Sequence, residues 1–230
     1  MSLRNLTKFH LKDYRRATII LFCVLLLVNT AQLLLKLFLP SLVTITEHNI
    51  FGLSRNVIVI FTLINVVVNA NLTFPLMSGF SVTRKNFYFS TILASAIFCV
   101  SAAFAETVLS EIGKALMPSL GMEISSGKPF LLHWYLFAVG LIAVSLALFV
   151  IIACFHRLGT IKGIFSLILY VGLLNLAVNL MPSLPITDES GLLPLSPETL
   201  PAESSLMLWA AILALVLIGW LIYRRAPVRM

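Results

Sequence analysis

Charge is what this sequence has least of. Asp, Glu, Lys and Arg make up 11% of its 230 residues, where a soluble domain carries about 25%. Hydrophobic residues reach 60%, with a mean hydropathy of +1.03. Such a balance excludes an ordinary water-soluble globule and places most of the chain in lipid. Long polar stretches are missing as well, and no segment between the apolar runs is long enough to bury a core of its own. Cysteine is nearly absent. Cys23, Cys99 and Cys154 all lie inside apolar runs, and an odd set of thiols at membrane depth argues against a disulfide framework and against a Cys-based metal site.

Catalytic patterns are lacking too. The nearest approach to a phosphate loop, residues 121–129, spaces Gly121 and Gly127 one residue too widely. It also puts Pro129 where a magnesium-binding hydroxyl would stand. His10, His48, His133 and His156 fall on different segments without ligand spacing. No Asp or Glu occupies the middle of an apolar run, so a proton- or sodium-driven carrier lacks its usual carboxylate and any energy source lies elsewhere. The chain is therefore expected to be no enzyme and to bind no metal. The net charge of +7 would suggest nucleic acid in a soluble protein. Here the placement of the cations matters more, and no nucleic-acid partner is expected.

What is present is a series of apolar runs separated by short charged turns. Residues 2–16 read as a basic amphipathic helix, with Arg4, Lys8, Lys12, Arg15 and Arg16 on one arc at about 100° per residue. Leu3, Leu6, Phe9, His10, Tyr14 and Ala17 take the opposite arc. Such a helix is expected to lie in the membrane interface. Six spans follow, at about 17–39, 56–79, 87–109, 131–155, 161–180 and 205–223, each with the ~20 residues needed to cross. The whole chain reads as one all-α integral membrane domain. Thr91, Ser95, Cys99, Ala103 and Thr107 form a stripe of small residues at i, i+4 spacing, suited to close helix packing. Trp134, Tyr135 and Trp209 sit where an interfacial aromatic belt belongs.

The cations divide unevenly between the two ends of these spans. Arg4, Lys8, Lys12, Arg15, Arg16, Arg84, Lys85, Arg157, Lys162, Arg224, Arg225 and Arg229 fall on one side, opposed only by Asp13. Lys36, Arg55, Lys114, Lys128 and the other eight acids fall on the other. Positive residues are retained on the cytoplasmic side, which puts both termini and the turn at Arg84–Lys85 in the cytoplasm.

The polar residues inside the spans are mostly amides. Asn65 with Asn69, and Asn175 with Asn179, stand at i, i+4, so each pair shares a helix face. They serve either to bond neighbouring helices or to line an amphipathic path. Glu106, near the outer end of the third span, is expected to reach the interface or to pair with Lys36.

The turn between spans two and three reads Phe80-Ser-Val-Thr-Arg84-Lys85-Asn-Phe-Tyr-Phe89. Ser81 and Thr83 are placed to cap the following helix, and Phe87 is positioned as an exposed aromatic for a partner's groove. The stretch resembles the "glycine or serine, small, Arg-Lys, aromatic" segment after span two in the membrane subunits of ABC-2-type exporters, the short bacterial kind without a fused ATPase. Six spans, a basic first helix and a proline-broken outer loop at residues 181–204 are similar to that family along the whole chain. The resemblance implies a permease in the bacterial cytoplasmic membrane, paired with a second copy or a sister permease. Separate nucleotide-binding ATPase subunits would carry ATP and magnesium, and an amphipathic substrate, a peptide for example, would be exported. It implies that Ser81, Val82, Thr83, Arg84, Lys85, Asn86 and Phe87 form the ATPase-coupling turn and that Pro75 is a hinge. Asn65, Asn69, Asn175 and Asn179 would line the path. The alternatives are a peptide-binding immunity or sensor protein that moves nothing, and a structural subunit of a membrane complex.

Overall fold

No glycine or proline interrupts residues 3–38, and the chain there forms one helix, α1 (Leu3–Phe38). Its 36 residues extend about 54 Å, well beyond the ~30 Å hydrocarbon of a bilayer. The basic amphipathic segment is therefore not a separate interfacial helix, because nothing in the sequence breaks it from the first span. Its two arcs are placed in part as expected, although Phe9 of the apolar arc is exposed. Arg4, Lys8, Lys12, Arg15 and Arg16 are exposed, while Leu6, His10 and Tyr14 are buried against other helices rather than in headgroups.

The computed structural model describes residues 3–38, 47–73, 83–116, 129–158 and 204–224. The expected fifth span, Ser81, Val82, Pro75, Asn175 and Asn179 lie outside the described residues. Beyond α1 the elements are α2 (Glu47–Val68), α3 (Arg84–Leu116), α4 (Phe130–Leu158) and α5 (Ser204–Arg224). Every described element is helical. Four of the helices carry apolar stretches long enough to cross a membrane: Arg4–Ala31, Ser54–Asn71, Arg84–Ala115 and Phe130–Phe155. A shorter one, Leu208–Arg224, lies in α5.

Hydrophobicity decides which helix is central. The apolar stretch of α4 is 78% buried, whereas that of α1 is 17% buried. A helix apolar all round belongs inside a bundle, and α4 packs on α5, α3 and α2. In lipid the gain from association is packing rather than exclusion of water, so small residues matter. The stripe on α3 behaves accordingly. Thr91, Ser95, Cys99, Ala103 and Thr107 are all buried, with Cys99 Sγ 3.9 Å from Ser145 Oγ of α4. The three cysteines are free thiols, and only Cys23 is exposed.

At its C-terminal end α2 passes into one π-helical turn, Asn69–Thr73. Pro75 follows two residues later in the sequence, and a proline disfavours regular α geometry in the turn before it. At the start of α3, Thr83 is the N-cap. Its Oγ1 accepts from the Asn86 amide at 3.4 Å, and its carbonyl accepts from the Phe87 amide at 3.0 Å.

The start of α1, the start of α3 and the end of α5 share one end of the bundle. Phe87 lies edge-on to His10 with ring centres 5.5 Å apart, and stacks on Tyr223 at 6.2 Å. Arg84 Nη1 donates to the Arg224 carbonyl at 3.4 Å. Phe87 is 1% exposed. This corrects the expectation of an exposed aromatic: three helix ends converge on the ring and leave no room for a partner.

Gly219 is required where α5 meets α3. A Cβ there would stand 2.6 Å from Tyr88 Oη and 3.0 Å from Val150 Cγ2. Tyr88 cannot swing away freely, since its hydroxyl donates to the Val216 carbonyl at 2.7 Å and its ring is buried. Gly219→Val is expected to cost about 1–3 kcal/mol through overpacking. Thermal unfolding in detergent micelles measures it. A wild-type midpoint would show that α5 docks by other contacts.

Candidate functional site

Among the described residues, the most heavily buried ionic group joins three helices. Glu106 of α3 accepts from Arg55 Nε of α2 at 3.1 Å through Oε1, and lies 3.1 Å from His133 Nε2 of α4 through Oε2. The side chains are 1%, 9% and 3% exposed for Glu106, Arg55 and His133. Removing ions from water costs several kcal/mol each, so such a group persists only where its members compensate one another.

Each partner is placed by its helix. Arg55 stands within α2, which begins at Glu47, nine residues before the expected start of the span. The arginine expected in an outer loop is thus a helical residue facing inward. His133 lies in the first turns of α4, where its amide donates to the Pro129 carbonyl at 3.0 Å. Glu106 sits 22 residues beyond Arg84, about 33 Å along the helix and so near the opposite limit of a ~30 Å hydrocarbon layer. Glu106 turns inward at that depth, its two oxygens facing Arg55 and His133, and the side chain of Lys36 lies outside the described residues. Trp134 Nε1 donates to the Val100 carbonyl at 3.2 Å, and Trp209 Nε1 donates to Tyr135 Oη at 2.7 Å, giving that end its aromatic belt.

Ionisable groups buried in membrane-spanning helices are costly, and they commonly mark working sites. Here a carboxylate holds a guanidinium and an imidazole on separate helices. The arrangement can lock α2, α3 and α4 at one end, and it can release them if the ion pair opens. Among the described residues no three or more His, Cys, Asp or Glu side chains are grouped to hold a metal ion.

A second polar group lies nearer the basic end. Asn69 Nδ2 donates to Tyr14 Oη at 3.0 Å and to the Asn65 carbonyl at 2.9 Å. Asn65 Nδ2 donates to the Phe61 carbonyl at 3.0 Å within its own helix. Asn69 and Tyr14 border a cavity of about 10 Å³ whose walls include Val66, Ile92, Leu146 and Phe149. Toward the other end, Ser54 Oγ donates to Asn29 Oδ1 at 3.1 Å, another link from α1 to α2. Asn69 thus ties helices together, and Asn65 is half-buried beside it.

Of the residues assigned to the coupling turn, Thr83 and Lys85 are exposed, Arg84 and Asn86 half-buried, and Phe87 buried. The Arg–Glu–His cluster escaped sequence reasoning, although a signal was present. Arg55 precedes and Glu106 follows the turn between spans two and three by a similar number of residues, so an antiparallel helix pair would bring them near one level. No protein-family model matches the chain, and no curated protein and no solved structure matches it.

Proposed function

We propose that this chain is the membrane permease subunit of an ATP-driven exporter, with six spans, both termini in the cytoplasm, and ATP hydrolysed by a separate partner. The observation that carries the reading is the convergence of three basic helix ends around Phe87, with Lys85 exposed beside half-buried Arg84. Cations gathered at one end belong on the cytoplasmic side, where a nucleotide-binding subunit would press on the turn. Force on that end would pass along α2 and α3 to the Arg55–Glu106–His133 lock about 30 Å away. The substrate would be amphipathic, and a second copy or a sister permease would complete its path.

The test is isolation of the chain from its native membrane in mild detergent, with a count of co-purified ATPase per permease. Lys85→Gln removes one exposed charge while the other basic-end cations maintain orientation. It is expected to lower the recovered ATPase several-fold, since losing an exposed charge pair costs up to about 1 kcal/mol. Equal recovery from the variant would remove the turn from the interface. Absence of any nucleotide-binding subunit from the wild-type preparation would favour a second reading, a sensor or structural subunit. That reading is supported by the Asn69–Tyr14 and Ser54–Asn29 bonds, which spend amides on holding helices together.

A further inference from the structure

Four cations stand at a depth that a lipid-facing helix surface accommodates poorly. Lys8, Lys12, Arg15 and Arg16 are exposed along one face of α1, and the contacts of that helix fix their level. His10 meets Phe87 edge-on. Phe87 lies three residues beyond Arg84, and Arg15 five beyond His10, which sets Arg15 about 12 Å from the level of Arg84. Arg15 also borders Ile97 and Phe98 of α3, and Tyr14 stacks on Phe98 at 5.3 Å. Phe98 is 14 residues beyond Arg84 (98 − 84), about 21 Å along the helix. The two registers bracket the middle of a ~30 Å hydrocarbon layer. An arginine side chain spans little more than one helical turn, so snorkelling does not return Arg15 or Arg16 to the headgroups.

Around the rest of the bundle this level is apolar. Phe89, Leu93 and Ile97 are exposed on α3, and Leu217 and Leu221 on α5. On α2, exposed Val67 and Val68 adjoin Asn69, which bonds Tyr14. If the bilayer began only at Ala17, three helices would present this surface to water, and soluble surfaces rarely carry such patches. Lipid therefore meets α2, α3 and α5 at the depth where α1 presents charge. Charged side chains at that depth face either the protein interior or a water-filled space, and these four are exposed. Past Arg16 the same helix exposes Ile19 and Ile20. The charged face thus ends 12 residues from Arg4 (16 − 4), after about 18 Å.

We propose that the basic face of α1 is one wall of a water-filled vestibule, open at the basic end of the bundle and closed near Arg16, which receives anionic solutes from the aqueous side. Charge complementarity names the ligand, because Asp13 is the sole acid in the helix and a cleft of one sign between low-dielectric walls concentrates the opposite ion. That such a solute is the exported cargo rests on the exporter reading above; the wet face does not.

Single cysteines in the Cys23→Ser chain report which surface meets water, since Cys99 and Cys154 are buried. Leu93 and Leu217 serve as controls, nine residues from Arg84 and seven from Arg224, about 14 and 10 Å into the layer. In native membrane fragments open on both sides, Arg15→Cys is expected to react with a charged, impermeant thiol reagent within about tenfold of the rate at Lys85→Cys. Leu93→Cys and Leu217→Cys are expected to react about a hundredfold more slowly, because apolar surroundings disfavour the thiolate. At Arg15→Cys the anionic reagent is expected to outpace the cationic one about tenfold, relative to their rates with a free thiol. Adding Lys8→Gln/Lys12→Gln is expected to bring the two reagents near parity. An unreactive Arg15→Cys means that lipid or protein covers the face and overturns the proposal. So does equal reactivity at Leu93→Cys and Leu217→Cys, which would put this end of the bundle outside the bilayer. Equal rates for the two reagents before the lysines are replaced remove the anionic ligand. If Arg15→Cys does not insert, Lys12→Cys takes its place. The ATPase count separates the two readings: a wet face without ATPase leaves the vestibule and removes the exporter, and a dry face with ATPase does the reverse.

Discussion

Glu106→Ala is expected to destabilise the bundle by about 3 kcal/mol, the cost of removing the carboxylate from a buried ionic group. With a side chain only 9% exposed, the Arg55 guanidinium has little water to turn to. His133 loses its contact at the same time. The loss does not measure what the ion pair contributes, because a well-packed apolar replacement of the whole group is often neutral or stabilising. The triple variant Arg55→Met/Glu106→Leu/His133→Phe is therefore expected to recover most of the loss. Unfolding in detergent micelles followed by tertiary signal measures both variants. A single variant as stable as wild type would mean that water or another group of the protein takes the place of Glu106 at Arg55. A triple variant as unstable as the single would mean that the cluster also satisfies neighbouring backbone groups. A stable triple variant that fails in the cell would put the cluster in function, as a lock that must open.

The legible part of this molecule is what periodicity and charge dictate locally. The apolar runs become helices because each backbone group in lipid must be bonded within its own segment. The small residues at i, i+4 on α3 are buried because close approach is the available gain there. Thr83 caps because its hydroxyl can reach the third amide of the helix. The illegible part is pairing between helices. Arg55, Glu106 and His133 are separated by 51 and 27 residues, and nothing local marks an arginine at a span's edge as inward-facing. Length misled in a different way. The cations of residues 2–16 suggested a headgroup helix, yet a segment free of glycine and proline continues into the span, and its apolar arc finds protein first. Asn69 shows an intermediate case. Its face is legible from spacing, but whether an amide bonds a neighbour or lines a path depends on what stands opposite, here Tyr14.

Phe87→Ala is expected to cost about 3 kcal/mol of stability, the low end for a fully buried phenylalanine. The low end applies because lipid removes part of the transfer term and leaves the cavity and the lost ring contacts. Those contacts are specific. Phe87 stacks on Tyr223 with planes 9° apart and meets His10 edge-on at 69°, so its removal loosens α5 and α1 from α3 together. Phe87→Leu fills most of the volume without the ring geometry and is expected to lose about 1 kcal/mol or slightly more. Lys85→Gln, two residues earlier and exposed, is expected to leave the unfolding midpoint unchanged. The pair separates two causes that a binding assay alone would merge. If ATPase recovery falls with both variants but stability falls only with Phe87→Ala, Lys85 belongs to the contact surface and Phe87 supports it from beneath. If Phe87→Ala unfolds at the wild-type midpoint while losing the partner, the ring is not packed between the three helix ends in the membrane, and it returns to the role of an exposed anchor.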